Sequence, residues 1–145
     1  AVEANEKVGN QRLIATGWSE LAHLYRQEGR LGEAAAIYRR TILSWQEQGH
    51  QAAVAHQLEC FAYIAITRKK LGVAAQLLGA AQIARERSNM PSTDLQEITE
   101  KEQALKHLEA ELGAGEVDRL LKMGKLLSLD EAVAFALEED QSEPE

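Results

Sequence analysis

Residues 9–40, GNQRLIATGWSELAHLYRQEGRLGEAAAIYRR, are echoed by residues 49–80, GHQAAVAHQLECFAYIAITRKKLGVAAQLLGA. Gly9 falls on Gly49, Gln11 on Gln51, Ile14 on Val54, Ala15 on Ala55, Leu21 on Phe61 and Ala22 on Ala62. Leu31-Gly32 falls on Leu71-Gly72, Ala34-Ala35 on Ala74-Ala75, and Tyr38 on Leu78. Self-similarity at this period, rich in Ala and Leu, marks a helical array rather than a closed globule.

Each unit divides into two helical stripes. Gln11 to Glu28 places Ile14, Trp18, Leu21, Ala22 and Tyr25 on one face, and Gly29 ends it as a left-handed cap. Leu31 to Gln48 turns Ala34, Ala35, Ile37, Tyr38, Ile42 and Trp45 inward, and Gly49 ends that helix. Gln51 to Lys70 repeats the first stripe with Val54, Leu58, Phe61, Ala62 and Ala65. Val73 to about Arg87 repeats the second with Ala74, Leu77, Leu78 and Ala81, and Ser88-Asn89-Met90-Pro91 breaks it. The expected organisation is a run of repeats over 1–90. Residues 1–9 are the end of a preceding unit that stops at Gly9-Asn10, and 11–48 and 51–88 are full hairpins.

Beyond Pro91 the register changes. Residues 91–139 read as capping helices: a charged one over 93–112, a short one over about Glu116 to Lys122, and a last one opened by Ser128 and Glu131. Thr93 and Gln96 form the expected capping box of the first. Residues 140–145 are expected to be an acidic disordered tail.

Composition narrows the function classes. The 145 residues are 45% hydrophobic and 27% charged, values of an ordinary globular domain. Aromatics are 5%, so the core is built from aliphatic side chains and alanine. The net charge is −7, with five acids in the last eight residues; the remainder holds 16 basic and 18 acidic groups and is nearly neutral. Neither part offers the basic footprint that direct nucleic-acid binding needs. No apolar run approaches the ~20 residues of a membrane helix, so no membrane partner is expected. One cysteine, Cys60, fits a reducing, cytoplasmic compartment. The first residues carry neither an initiator Met nor a signal peptide, as in a piece of a longer chain.

Trp18, Leu21, Ala22 and Tyr25 have the first-helix spacing of a tetratricopeptide (TPR) hairpin, and Ala34, Tyr38 and Thr41 have its second-helix spacing. The chain resembles that family. The resemblance implies an all-α fold: a TPR-like right-handed α-solenoid of antiparallel hairpins. Leu77-Leu78-Gly79-Ala80-Ala81, the Pro91 break and Leu127 to Leu137 are further similar to the C-terminal repeat region of large bacterial LuxR-type or cyclase-linked signalling ATPase regulators. That likeness implies a protein–protein or intramolecular scaffold in signal transduction and transcription regulation. Its partner would be a protein or peptide segment, including other domains of the parent chain. A small-molecule effector-sensing domain is the alternative, and it calls for a deep apolar pocket with a few inward polar groups.

Two equivalent stripes flank the core positions: Thr16, Ser19, His23 and Arg26, then His56, Glu59, Tyr63 and Ile66. In the resembled family these positions line the partner groove. His23 and Tyr63 would be anchors, and Arg26 and Glu59 charge selectors. His56 and Cys60 stand at i, i+4, a chelating spacing, but two ligands fall short of a site, and His23, His50 and His107 have no partner at metal-site spacing. No metal, cofactor or catalytic constellation is expected, so the chain reads as a non-enzyme. The apolar end over residues 1–15 is expected to favour self-association.

Overall fold

The computed structural model describes residues 2–141, with side chains from residue 9 onward. They are all-helical: α1 (Val2–Gln27), α2 (Leu31–Glu47), α3 (Gln51–Thr67), α4 (Leu71–Ser88), α5 (Leu95–Leu112), α6 (Ala114–Lys125) and α7 (Leu129–Gln141). None of these helices is long and apolar enough to cross a membrane.

The repeat is visible in the backbone. Gly29, Gly49, Lys69 and Asn89 take left-handed conformations, with φ of 81, 72, 66 and 55°. At each, two helix-closing hydrogen bonds form: Arg30 N–H to Tyr25 C=O with Gly29 N–H to Arg26 C=O, and the same pair at His50/Gly49, Lys70/Lys69 and Met90/Asn89. These are four Schellman caps, and each doubles the chain back on itself. Lys69 holds by tertiary context a conformation that costs a non-glycine residue roughly 1 kcal/mol, so no turn residue marks that cap in the sequence.

Neighbouring helices α1 to α4 pack in chain order. α3 lies between α2 and α4 and is buried around nearly its whole circumference, from Val54 to Ala65. α1 has α2 on one side only, so its stripe is half covered: Ala15 and Ala22 are buried, whereas Ile14 and Trp18 are 60% and 49% exposed. Both had been expected inward.

Four further expectations change. α1 runs through Gly9-Asn10 without a break. α5 is capped by Asp94, which accepts from Glu97 N–H at 3.1 Å, in place of the Thr93/Gln96 box. α6 is longer than expected, beginning at Ala114. Asp140 and Gln141 belong to α7; Ser142 to Glu145 lie outside the described residues. The Ser128/Glu131 box forms as read, with both reciprocal bonds, at 2.9 and 3.1 Å.

Two contacts fix the closing helices. α6 crosses α4 at backbone distance: a Cβ on Gly79 would lie 2.1 Å from Leu121 O, and one on Gly124 would lie 1.9 Å from Gln76 O. α7 packs on α2, α3 and α4. Its buried Asp140 accepts from Arg68 at 2.9 Å and pairs with Arg39, while Lys70 Nζ donates to Glu139 C=O at 2.6 Å.

Gly79→Ala and Gly124→Ala should therefore each destabilise the fold by about 1–3 kcal/mol or more, because the new methyl group meets backbone that cannot rotate away. Gly17→Ala, in helix interior with open space around it, should instead stabilise by about 0.5–1 kcal/mol. Urea denaturation midpoints check the opposite signs.

Candidate functional site

The two sequence stripes separate in the structure. Thr16 is exposed on α1 and is not among the residues that line the cleft around His23, Arg26 and His56. Ser19 is buried and accepts from Gln57 Nε2 at 3.4 Å, while Gln57 Oε1 accepts from Thr41 at 2.5 Å. This chain of hydrogen bonds ties α1, α3 and α2 together. Ile66 is half-buried against the core. Glu59, expected as a charge selector, is 2% exposed and receives both Nε and Nη2 of Arg85, at 2.9 and 2.8 Å. It is an internal strut between α3 and α4, because α4 covers the face of α3 that the single-helix pattern left open.

His23, Arg26 and His56 do come together. They line a cleft of about 730 Å³ whose far wall is the cap residue Asp94 and the first half of α5, including Glu97, Glu100 and Gln103. Arg26 makes a bidentate pair with Glu100, at 2.7 and 3.1 Å. Its guanidinium lies over the ring of the nearly buried Tyr63, 5.1 Å from the centroid, and its Nε is 3.5 Å from the Tyr38 hydroxyl. His56 Nε2 is 2.8 Å from Glu97 Oε1. Glu97 and Glu100 stand one turn apart, so one edge of α5 meets both stripes. That edge continues into Ala104 and Leu108, which are buried, whereas Leu95 at the start of α5 is 77% exposed.

Beneath the cleft His23, from α1, joins His56 and Cys60. His23 Nδ1 is 3.9 Å and His56 Nε2 3.8 Å from Cys60 Sγ, and the two imidazole centroids are 5.1 Å apart. His23 Nδ1 also bonds the Tyr38 hydroxyl. The expectation that His23 has no partner at metal-site spacing is corrected: the third group comes from another helix and is invisible to spacing along the chain.

The electrostatics are mutual. Burial pushes the Cys60 thiol up, but the charge of His56 and hydrogen bonds from His23 and His56 outweigh it and bring the thiol down to about 6. Burial would lower His56; the Cys60 sulfur and Glu97 reverse this and lift it to about 11. The hydrogen bond from His56 holds Glu97 down at about 2. Arg26 stays charged, because Glu100, Cys60 and Tyr38 oppose its desolvation. Cys60 is fully buried beneath the cleft.

A second hollow, about 300 Å³, lies between α1 and α2 around Ile14, Trp18, Ile37 and Arg40. It opens beside the exposed faces of Ile14 and Trp18. Compared with protein-family models, with curated proteins and with solved structures, the chain has no match.

The buried pair makes a prediction. Glu59→Ala leaves the Arg85 charge uncompensated and should cost about 3–5 kcal/mol, while Glu59→Leu combined with Arg85→Met should recover most of that loss. Urea unfolding of the three proteins checks it; a single-variant cost below about 1 kcal/mol would place the pair in water.

Proposed function

We propose that the chain is an interaction scaffold whose cleft recognises an acidic helix edge, and that α5 is the ligand carried by the same chain. The observation that carries this reading is the double pairing of one α5 edge, Glu97 with His56 and Glu100 with Arg26. It is the helix-in-groove mode, with two carboxylates one turn apart as the recognised feature. Each pair is partly exposed, so each contributes about 0–1 kcal/mol. A hold of that size lets a competing helix of the same pattern take the cleft while the rest of the fold stays intact.

The architecture in this reading is a short TPR-like solenoid of two hairpins closed by α6 and α7. The setting is a cytoplasmic signalling regulator of the LuxR-linked ATPase kind, and the competing helix belongs to a partner protein or to another domain of the parent chain. The four equivalent caps and the resemblance of the hairpin positions support the solenoid; the acidic edge of α5 supports the partner's chemistry. Self-association through the exposed Ile14 and Trp18 face is a separate proposal, which light scattering at high concentration tests.

The test is a titration in trans. In a Glu97→Lys/Glu100→Lys variant α5 is repelled from the cleft, and a labelled peptide of residues 93–112 should bind saturably. Adding Arg26→Ala should weaken that binding about fivefold, the equivalent of one pair of about 1 kcal/mol. A peptide with both glutamates changed to glutamine should bind more weakly still. Affinity indifferent to Arg26 and to the peptide carboxylates would sink the reading.

A further inference from the structure

We propose that His23, His56 and Cys60 form a binding site for a zinc-class divalent cation, with Glu97 as the fourth ligand. The three ligand atoms, His23 Nδ1, His56 Nε2 and Cys60 Sγ, all lie within 4.8 Å of one another. Around one zinc ion, sulfur at ~2.3 Å and nitrogen at ~2.0–2.1 Å stand roughly 3.3–3.6 Å apart. The two sulfur-to-nitrogen separations, 3.9 and 3.8 Å, are already within a few tenths of an ångström of that, so small side-chain rotations close the site.

The fourth position calls for a movement of Glu97, whose carboxylate lies outside the three atoms that are mutually within 4.8 Å. Glu97 Oε1 is 2.8 Å from His56 Nε2, on the cleft side of the cluster. With a side-chain rotation of Glu97, an ion on Nε2 meets that carboxylate. A thiolate, two imidazoles and a carboxylate are a borderline-soft set, which suits zinc or cobalt better than magnesium or calcium. Charge also balances: the dication faces the Cys60 thiolate and Glu97, while Arg26 is neutralised by its bidentate Glu100. Binding exchanges the proton shared by His56 and its two acceptors for the metal.

Support around the ligands is present. His56 and Cys60 are fixed one helical turn apart on the central helix α3. The buried Tyr38 hydroxyl, which bonds His23 Nδ1 in the metal-free arrangement, keeps Arg26 Nε at 3.5 Å as a partner when that nitrogen turns to the ion. The entry path is the cleft, rimmed by Asp94, Glu97 and Glu100, and both imidazoles reach it. The ligands come from α1, α3 and α5, so a bound ion would cross-link the stripe to the helix that covers it. That last consequence rests on the cleft reading; metal binding itself does not.

Cobalt(II) added alone to the metal-free full chain tests the site. The expected result is one ion per chain, a near-ultraviolet thiolate-to-cobalt band, the visible bands of four-coordinate cobalt, and displacement by zinc. His23→Gln and His56→Gln, both at half-buried positions, should each weaken binding at least about tenfold. Cys60→Ser should remove the charge-transfer band; if that variant does not fold, the histidine variants decide. Glu97→Gln should keep the charge-transfer band and weaken binding, and if it leaves affinity unchanged the fourth-ligand assignment falls. A saturating cobalt spectrum that remains that of the hydrated ion, or a band that survives both histidine changes, would overturn the site and leave a purely hydrogen-bonded cluster. Because this readout needs no peptide, it fails or succeeds separately from recognition of the acidic helix edge.

Discussion

The backbone crossing of α4 and α6 is the constraint on which the rest of the arrangement depends. Gly79 and Gly124 remove the two Cβ atoms that would hold these helices apart, and carbonyls of Leu121 and Gln76 occupy the space. α6 therefore covers one face of α4 at backbone contact. α5 precedes α6 and is tied to it at Gly113. α5 packs against α6, α4 and α3, and its acidic edge meets Arg26 and His56. The closing helices thus do two jobs: α6 and α7 complete the core, and α5 covers the stripe.

A second constraint comes from α3. A helix covered on nearly all sides must pair every polar group it carries, since an unpaired buried group costs about 1–3 kcal/mol. Gln57 is matched by Ser19 and Thr41, Glu59 by Arg85, and Cys60 by His23 and His56. Each partner belongs to a different helix or lies one turn away, so these pairings also set the register of α1, α2 and α4 against α3. The thiol and the two imidazoles differ from the other two sets. They sit at the boundary between core and cleft, where chemistry from outside can reach the imidazoles.

Much of this fold was legible in the sequence because the period acts on backbone and core together. Gly29, Gly49 and Asn89 announce three of the four caps, and the stripes of α2, α3 and α4 fall where the apolar spacing puts them. The cap at Lys69 is silent in the sequence because no turn residue marks it. Periodicity also reports whether a face is apolar, never what covers it. That is why Ile14 and Trp18 were assigned to the core although α1 has a neighbour on one side only. It is also why Glu59 was assigned to a groove that α4 fills. The cleft was half legible: His23, Arg26 and His56 lie on the stripes and line one cleft, but nothing along the chain brings Glu97 and Glu100 to them. Asp140 was lost in a run of acids, and only the fold shows Arg39 and Arg68 waiting for it.

Native-state hydrogen exchange, resolved by residue, probes the central claim that the first half of α5 is a ligand of the cleft. Amides in the first half of α5, before the buried Ala104, should exchange through an opening well below global unfolding, and Arg26→Ala should speed them without changing α3, α4 or α6. If those amides instead open only with α3, at the global free energy, α5 is an integral wall of the fold and the cleft has no exchangeable occupant.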